Sequence, residues 1–245
     1  MAFNSEQFQA IIDKLNSGLT TLSTDLNSIG PRVEKAVNHW WVPDAVARAL
    51  IWIVNKIIEG VNYIIGKVLE FLKGVAAPFI LFADAITWQG EEIRGKASGV
   101  ASATQKFNLK APRQWEGHGA NAYTNAVFPQ SAAGAQVASS SSTVSTCLTA
   151  CGTAGVAFYV TLGIFIAQLI PVLAASTVAA ASVVGLPAAG GAAVAETALG
   201  AATIVTAVGG LLTALGAQLP VMAALTGESV DKMGFPEGHW PVGTA

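Results

Sequence analysis

The chain has 245 residues, of which only 11% are charged, and its formal net charge is −2. Its basic residues do not cluster on one helical face with aromatic residues between them, which excludes nucleic acid as a partner. Residues 1–116 carry 12 basic and 11 acidic side chains, whereas residues 117–245 carry five charges. Because soluble domains expose roughly 25–35% charged positions, the second half is predicted to face lipid, copies of the chain or a partner.

The first segment is predicted to form a long amphipathic helix. Apolar residues recur at three- and four-residue spacing between Phe8 and Ile29, which is typical of a coiled-coil-like seam. Gly30-Pro31 is predicted to end this helix. Residues 1–9 lack a basic region that leads into an apolar stretch, so no cleaved signal peptide is predicted.

A second amphipathic helix is predicted to start at Pro43-Asp44, because proline and an acid both favour the first turn of a helix. Its apolar residues form two adjacent stripes between positions 50 and 72. Such a broad face suits a helix that packs on two neighbours or one that lies in a membrane interface. We favour packing on neighbours.

A third helix is predicted over residues 84–107, after a bend at Pro78 and before a stop at Pro112. The segment that follows contains Gln114-Trp115-Glu116-Gly117-His118-Gly119-Ala120-Asn121-Ala122-Tyr123. It predicts a helix end, a turn at Trp115 and a new helix, since glycine supplies the backbone freedom that a chain reversal needs.

This string resembles the Trp-x-Gly helical-hairpin substrates of type VII (ESX) secretion in actinobacteria and their longer secretion-associated relatives. The resemblance covers about residues 84–150 and implies a helical hairpin whose motif residues are Trp115, Gly117, Gly119, Ala122 and Tyr123. It also implies export without a cleaved signal.

Members of this family, or their partners, usually carry a Tyr-x-x-x-acid export signal after the hairpin. Here Val127 lies four residues after Tyr123, and no tyrosine has an acid at that spacing. The resemblance therefore implies either a Trp-x-Gly partner that carries the export signal, or a chain that is not itself the exported subunit.

The second half of the chain is predicted to contain two apolar arms. Residues 131–146 are small and polar, which is typical of a linker or of a thin helix in close contact with its neighbours. Residues 156–173 are long and apolar enough to span a membrane. A turn is predicted over 185–191, followed by a second apolar arm over 192–225.

Small residues recur every four positions in the second arm, a spacing that lets helix backbones approach closely, as in lipid-embedded bundles. The same spacing suits tightly packed helices in a soluble filament. Both arms are therefore predicted to contact a lipid bilayer or copies of the chain in a homo-oligomer. The predicted contact residues are Val156, Phe158, Gly163, Phe165, Ile166, Leu169, Ala202, Gly209, Gly210 and Ala214.

No pattern in the sequence predicts catalysis, a metal site or a cofactor. The three histidines lie in three separate breaks, without the spacing of known catalytic or zinc motifs. Glu196 is predicted to lie at a helix N-terminus or the membrane surface, with an intramembrane functional acid as the alternative. Cys147 and Cys151 are predicted to be small buried thiols, with a disulfide as the alternative.

The sequence thus predicts an all-α protein, a long helical bundle with a Trp-x-Gly helical hairpin and a C-terminal apolar helical hairpin. The predicted divisions are the amphipathic N-terminal helices (1–83), the Trp-x-Gly hairpin (84–150), the uncharged apolar hairpin (151–227) and an extended tail (228–245).

The predicted function is that of a non-enzymatic, type VII secretion-associated substrate or effector. It is expected to oligomerise, to contact or insert into a membrane, and to be secreted or associated with the cell envelope, with pore formation as a candidate activity. Two alternatives remain open at this point. One is a structural protein that forms filaments or tubes with the apolar half buried; the other is an unexported inner-membrane accessory protein.

Overall fold

A computed structural model describes residues 5–179, 186–230, 234–235 and 237–243 of the chain. Every regular element in these ranges is helical, which confirms the predicted all-α class. The helices are α1 (Ser5–Val37), α2 (Asp44–Leu72), α3 (Ala77–Gln89), α4 (Lys96–Ala103), α5 (Ala111–Gln114), α6 (His118–Ala179), α7 (Leu186–Gly216) and α8 (Leu219–Val230), with a π-helical turn at Glu91–Gly95.

The chain divides into two compact units, and α6 contributes to both. Unit 1 comprises Met1–Ala77 and Ala154–Leu212, and unit 2 comprises Pro78–Thr153 and Thr213–Ala245. Each unit therefore combines a segment from the charged first half of the chain with one from the uncharged second half.

Unit 1 is a bundle in which the predicted apolar seams are buried. In α1 the buried residues include Phe8, Ile12, Leu15, Leu19, Leu22, Leu26 and Ile29. In α2 they are Leu50, Val54, Ile57, Val61, Ile64 and Val68. These are the residues that the three- and four-residue spacing placed on one face of each helix, so the packing interpretation of α2 is confirmed for this stripe.

The last part of α6 lies parallel to α1 in unit 1. Near the start of α1, the Phe8 ring meets the edge of Tyr159, with ring centroids 5.6 Å apart. Near its end, the Arg32 guanidinium donates a hydrogen bond to the Thr177 carbonyl at 3.2 Å. Residue numbers increase in the same direction along α1 and α6, so the two helices are parallel.

The end of α2 is fixed to α6 by a hydrogen bond and a ring contact. The Tyr159 hydroxyl donates to the Phe71 carbonyl at 2.8 Å, and the Phe71 ring meets Phe158 edge-on with centroids 5.0 Å apart. The last carbonyls of a helix have no partner within the helix. The Phe71 carbonyl also accepts from the Gly74 amide at 2.9 Å, so Tyr159 adds a second hydrogen bond at the C-terminal turn of α2.

The predicted end of α1 at Gly30-Pro31 is wrong, because the helix continues to Val37. Proline inside a helix costs about 3 kcal/mol. Beyond it, however, Val33 and Ala36 are buried in the bundle, and full burial of a valine side chain alone contributes about 1.5–3 kcal/mol. Burial of one more helical turn offsets the lost backbone hydrogen bond.

Unit 2 packs α3 and α4 against the first part of α6 in antiparallel direction. Ser145 donates to the Ala85 carbonyl in α3, and Ser131 donates to the Ala101 carbonyl in α4, both at 2.8 Å. Later residues of α3 and α4 thus meet earlier residues of α6. These contacts do not by themselves identify a Trp-x-Gly hairpin, which stays a prediction.

The predicted helix over 84–107 has different bounds in the structure. The helix starts earlier, in α3, and is interrupted at Gly90, whose backbone is extended. It resumes with the π-helical turn and ends with α4 at Ala103. Pro112 does not stop it; it is the second residue of α5. Proline is tolerated there because the first amides of a helix have no helical acceptor in any case.

The serine-rich segment 131–146 is helical throughout, so the thin-helix interpretation is confirmed and the linker interpretation is wrong. Hydroxyl groups bond back to the helix, for example from Ser141 to the Val137 carbonyl at 2.7 Å. Cys147 and Cys151 are free thiols, Cys147 being buried and Cys151 half-buried.

The predicted turn at 185–191 is wrong for residues 186–191, which belong to α7, while Gly185 lies outside the described residues. Pro187 is compatible with this helix because it occupies the first turn. Consequently Glu196 lies inside α7 and not at its N-terminus. The predicted tail also begins later, since α8 continues to Val230.

Candidate interaction surfaces

The Trp115 segment forms the predicted break between two helices. α5 ends at Gln114, Trp115 has an extended backbone with φ −138° and ψ 129°, and α6 begins at His118. Between them Gly117 has a φ of +100°, a conformation that side chains with a Cβ rarely adopt. The predicted helix end, turn and restart are therefore confirmed.

The Trp115 indole lies directly on the first turn of α6. A Cβ atom at Gly119 would stand 2.7 Å from Cζ2 of the indole, so only glycine leaves room for the ring in this position. Trp115 remains 49% exposed and Tyr123 38% exposed, and Ala122 is exposed as well. Apolar groups of the motif therefore lie on the surface of the protein and are not buried against the ends of the helices.

The predicted contact residues of the first apolar arm lie mainly inside unit 1. Phe158, Phe165, Ile166 and Leu169 are buried, while Val156 and Gly163 are half-buried. Ile166 Cγ2 lies 2.6 Å from the position that a Cβ on Gly18 of α1 would take. In this arrangement the chain's own helices cover this arm.

The predicted contact residues of the second arm lie mainly on the surface. Ala202, Gly209 and Gly210 are exposed, and Ala214 is half-buried. α7 meets α6 at Gly200, which lies against the Phe165 ring, and Ile204, one turn later, is buried. Neither Gly200 nor Ile204 was among the predicted contact residues.

Large apolar side chains accompany these small residues on the outside of both helices. On α7, Leu199, Val205 and Leu212 are each more than 60% exposed, and on α8 Leu219 and Val230 are too. Over residues 197–227 no side chain is charged. An exposed surface of this composition is typical of a membrane or protein contact.

Two stretches in the described ranges are long and apolar enough to cross a membrane, judged by length and composition alone: His118–Val178 and Ala202–Glu228. They differ in their surroundings, because 39% of the apolar window is buried in the first and only 6% in the second. The first is partly covered by the chain's own helices. The second is apolar without being covered by the chain.

Sequence reasoning missed an open groove between α1 and α6 in unit 1. Its volume is about 470 Å³, and its walls include Ile11, Lys14, Gly18, Gly163 and Ile170. Gly18 of α1 lies in this wall, but Ile166 fills the space beside it, so no local pattern in the sequence indicated the groove.

The C-terminal segment packs along α6 in unit 2. Gln136 donates to the Glu228 carbonyl at 2.7 Å, and Gln130 donates to the Pro241 carbonyl at 2.9 Å. Nδ1 of His239 lies 3.1 Å from the Trp240 carbonyl oxygen, and Nε2 of His239 lies 3.0 Å from Oε2 of Glu237. These two acceptors, the carbonyl more strongly, raise the pKa of His239 above its usual value.

Histidine, cysteine and acidic side chains form no cluster able to hold a metal ion in the part of the chain that the structure describes. Compared with known protein families, curated proteins and solved structures, the chain has no match. The resemblance to Trp-x-Gly proteins therefore depends on the residues from Trp115 to Tyr123 alone.

Proposed function

We propose that the chain is a non-enzymatic component of type VII (ESX) secretion, exported or held in the cell envelope, which oligomerises and contacts a lipid bilayer. The contact is made by the outer faces of α7 and α8. The observation that carries the membrane part is the apolar stretch Ala202–Glu228, because only 6% of its apolar window is buried. The secretion part is supported by the resemblance at Trp115–Tyr123, where the motif side chains are exposed to a partner.

The arrangement of unit 1 supports a mechanism in two stages. Buried Phe158, Phe165 and Leu169 keep the first apolar arm covered by the chain's own helices, so the surface presented first is the outer face of α7. Insertion of both arms follows when oligomerisation of α1 and α2 releases α6. A pore formed by these arms is the candidate outcome of that second stage.

A single charge on α7 tests the membrane contact. Gly210 suits this purpose because nothing lies within 4 Å of a Cβ added there, so the Gly210→Arg variant fits without a clash. An arginine at the centre of a membrane-inserted helix costs about 2.5–3.5 kcal/mol, and each 1.4 kcal/mol is a factor of ten. We expect vesicle binding, measured by flotation, to fall roughly a hundredfold.

Gly66→Arg is the matched control, because Gly66 is an exposed glycine of α2 whose added Cβ also meets nothing within 4 Å. It introduces the same charge outside the apolar stretch and should bind vesicles like the wild-type chain. If Gly210→Arg also binds like the wild-type chain, α7 does not contact the bilayer. Leakage of vesicle contents that survives Gly210→Arg would likewise exclude a pore that includes α7.

The secretion part is tested by export. The chain should accumulate in the culture filtrate of a type VII-competent actinobacterial host and be retained in a host that lacks the system. Retention in the membrane fraction of both hosts would instead identify the unexported accessory protein. Trp115→Ala should reduce export if a Trp-x-Gly partner recognises the exposed indole, and Trp88→Ala serves as its control.

A second candidate function, a structural assembly protein, is favoured by the open glycines of α7. Gly209, Gly210 and Gly216 have no atom within 4 Å of an added Cβ, which would let a helix of another copy approach closely. This candidate predicts ordered polymers in electron micrographs of the protein without detergent or lipid. Polymers that ignore vesicles would favour assembly over membrane contact.

A further inference from the structure

The turn between α1 and α2 carries two adjacent tryptophans on the surface of unit 1. Trp40 is 95% exposed and Trp41 is 53% exposed. We propose that this turn anchors unit 1 in the headgroup region of a phospholipid bilayer, with Trp40 and Trp41 inserted among the headgroups. The inference rests on the proposed membrane contact and adds a second, chemically different contact site to it.

The exposure of the two indoles is imposed by the packing of their neighbour. Val42 is buried, and its amide donates to the His39 carbonyl at 3.0 Å, which closes the turn. The following turn is held by the Val46 amide, which donates to the Pro43 carbonyl at 2.9 Å. With Val42 directed inward, the two preceding side chains are held on the outside.

The chemistry of these side chains suits a bilayer interface better than water or a hydrocarbon interior. An indole combines a large apolar ring with one N–H donor, and tryptophan is enriched at the level of the lipid headgroups for this reason. His39, which stacks on Trp41 with ring centroids 5.9 Å apart, adds a further aromatic group that carries hydrogen-bonding atoms.

Charge around the turn favours anionic headgroups slightly. Between residues 32 and 48 the chain carries three basic and two acidic side chains, and Lys35 and Arg48 are exposed. Basic residues near an anionic membrane surface favour binding to it. The net excess is small, so the tryptophans supply most of the contact and anionic lipid only strengthens it.

The turn also lies at the end of unit 1 where the first apolar arm terminates. Arg32, seven residues before His39 in the sequence, donates to the Thr177 carbonyl in the last turn of α6. Val178, next along that helix, is 69% exposed. The Trp40-Trp41 turn and the end of α6 therefore lie toward the same end of unit 1.

The test uses full-length chains that retain a single tryptophan, the others being replaced by phenylalanine. All six tryptophans are more than a third exposed, so these replacements should preserve the helical circular-dichroism spectrum. The Trp40-only chain is mixed with phosphatidylcholine–phosphatidylglycerol vesicles whose acyl chains are brominated or not. We expect bromine to quench Trp40 fluorescence at least twofold, and to leave the Trp115-only chain unquenched.

A double variant, Trp40→Ser with Trp41→Ser, measures the contribution to binding. We expect its vesicle partitioning to fall at least tenfold, while Trp88→Ser leaves partitioning unchanged. If the wild-type chain floats with vesicles but Trp40 is not quenched and the double variant binds equally well, the anchor is refuted and the proposed membrane contact stands. If the wild-type chain does not bind vesicles at all, both proposals fall.

Discussion

Replacement of Gly134 by alanine tests the close approach of α4 and α6 in unit 2. A Cβ at position 134 would stand 2.8 Å from both the Ala97 carbonyl oxygen and the Ala101 amide nitrogen. Non-bonded carbon contacts are normally about 3.5–4.0 Å. Because both contacted atoms belong to backbone, the α4 helix itself would have to move by roughly 0.7 Å.

The expected change in stability is the sum of opposing effects. Alanine is about 0.5–1 kcal/mol more favourable than glycine in a helix interior, whereas overpacking costs about 1–3 kcal/mol. Movement of α4 would also weaken the hydrogen bond from Ser131 to the Ala101 carbonyl, which contributes about 1 kcal/mol. We expect Gly134→Ala to destabilise the packing of α4 by about 2 kcal/mol.

Hydrogen exchange of the α4 amides is the suitable assay, because two compact units need not unfold in one step. A loss of about 2 kcal/mol should accelerate exchange in Lys96–Ala103 about 30-fold. Gly66→Ala, at an open helical site, should instead stabilise α2 by about 0.5–1 kcal/mol. If Gly134→Ala also slows exchange, α4 does not lie against Gly134 and the packing described for unit 2 is incorrect.

Two further predictions concern single hydrogen-bonded side chains. Tyr159→Phe keeps the ring but removes one of the two donors to the Phe71 carbonyl, so hydrogen exchange at the C-terminal turn of α2 should correspond to about 1 kcal/mol lower stability; unchanged exchange would exclude this contact. His239 should titrate above its usual pKa in an NMR pH series, because the Trp240 carbonyl and the Glu237 carboxylate stabilise the imidazolium. This stabilisation of the C-terminal segment is complete below about pH 6.5 and is lost as the pH rises through the raised pKa; Glu237→Gln should lower that pKa, and an unaltered titration would contradict the ion pair.

The seams of the amphipathic helices were predictable from sequence because they depend on local periodicity. Phe8 to Ile29 in α1 and Leu50 to Val68 in α2 are buried as their spacing predicts. The Trp115 break was predictable for a related reason, since the positive φ at Gly117 reflects a backbone preference that glycine carries wherever it occurs. The break at Trp115 could therefore be predicted from the sequence, although the partner that would bind there could not.

Helix ends were predicted less well, because tertiary packing competes with local preference. Pro31 predicts an interruption and residues 131–146 left a linker open as one of two interpretations, yet each lies inside a continuous helix. Burial of Val33 and Ala36 extends α1, and the Ser145 and Ser131 hydroxyls bond to neighbouring helices. Such contacts come from residues that are distant in sequence, so no local pattern contains them.

The sequence by itself determined that more than a hundred residues are almost uncharged and that they must be covered by something other than water. Only the tertiary structure decided which of them the chain covers. Ile166 of α6, which lies against Gly18 of α1, is buried at 2% exposure, whereas Leu212 of α7 is 62% exposed, although both belong to arms with almost no charge. Hydropathy reflects the free energy of transfer out of water and does not specify which group covers a side chain. In the structure α1 and α2 cover α6, whereas no described residue covers the outer face of α7.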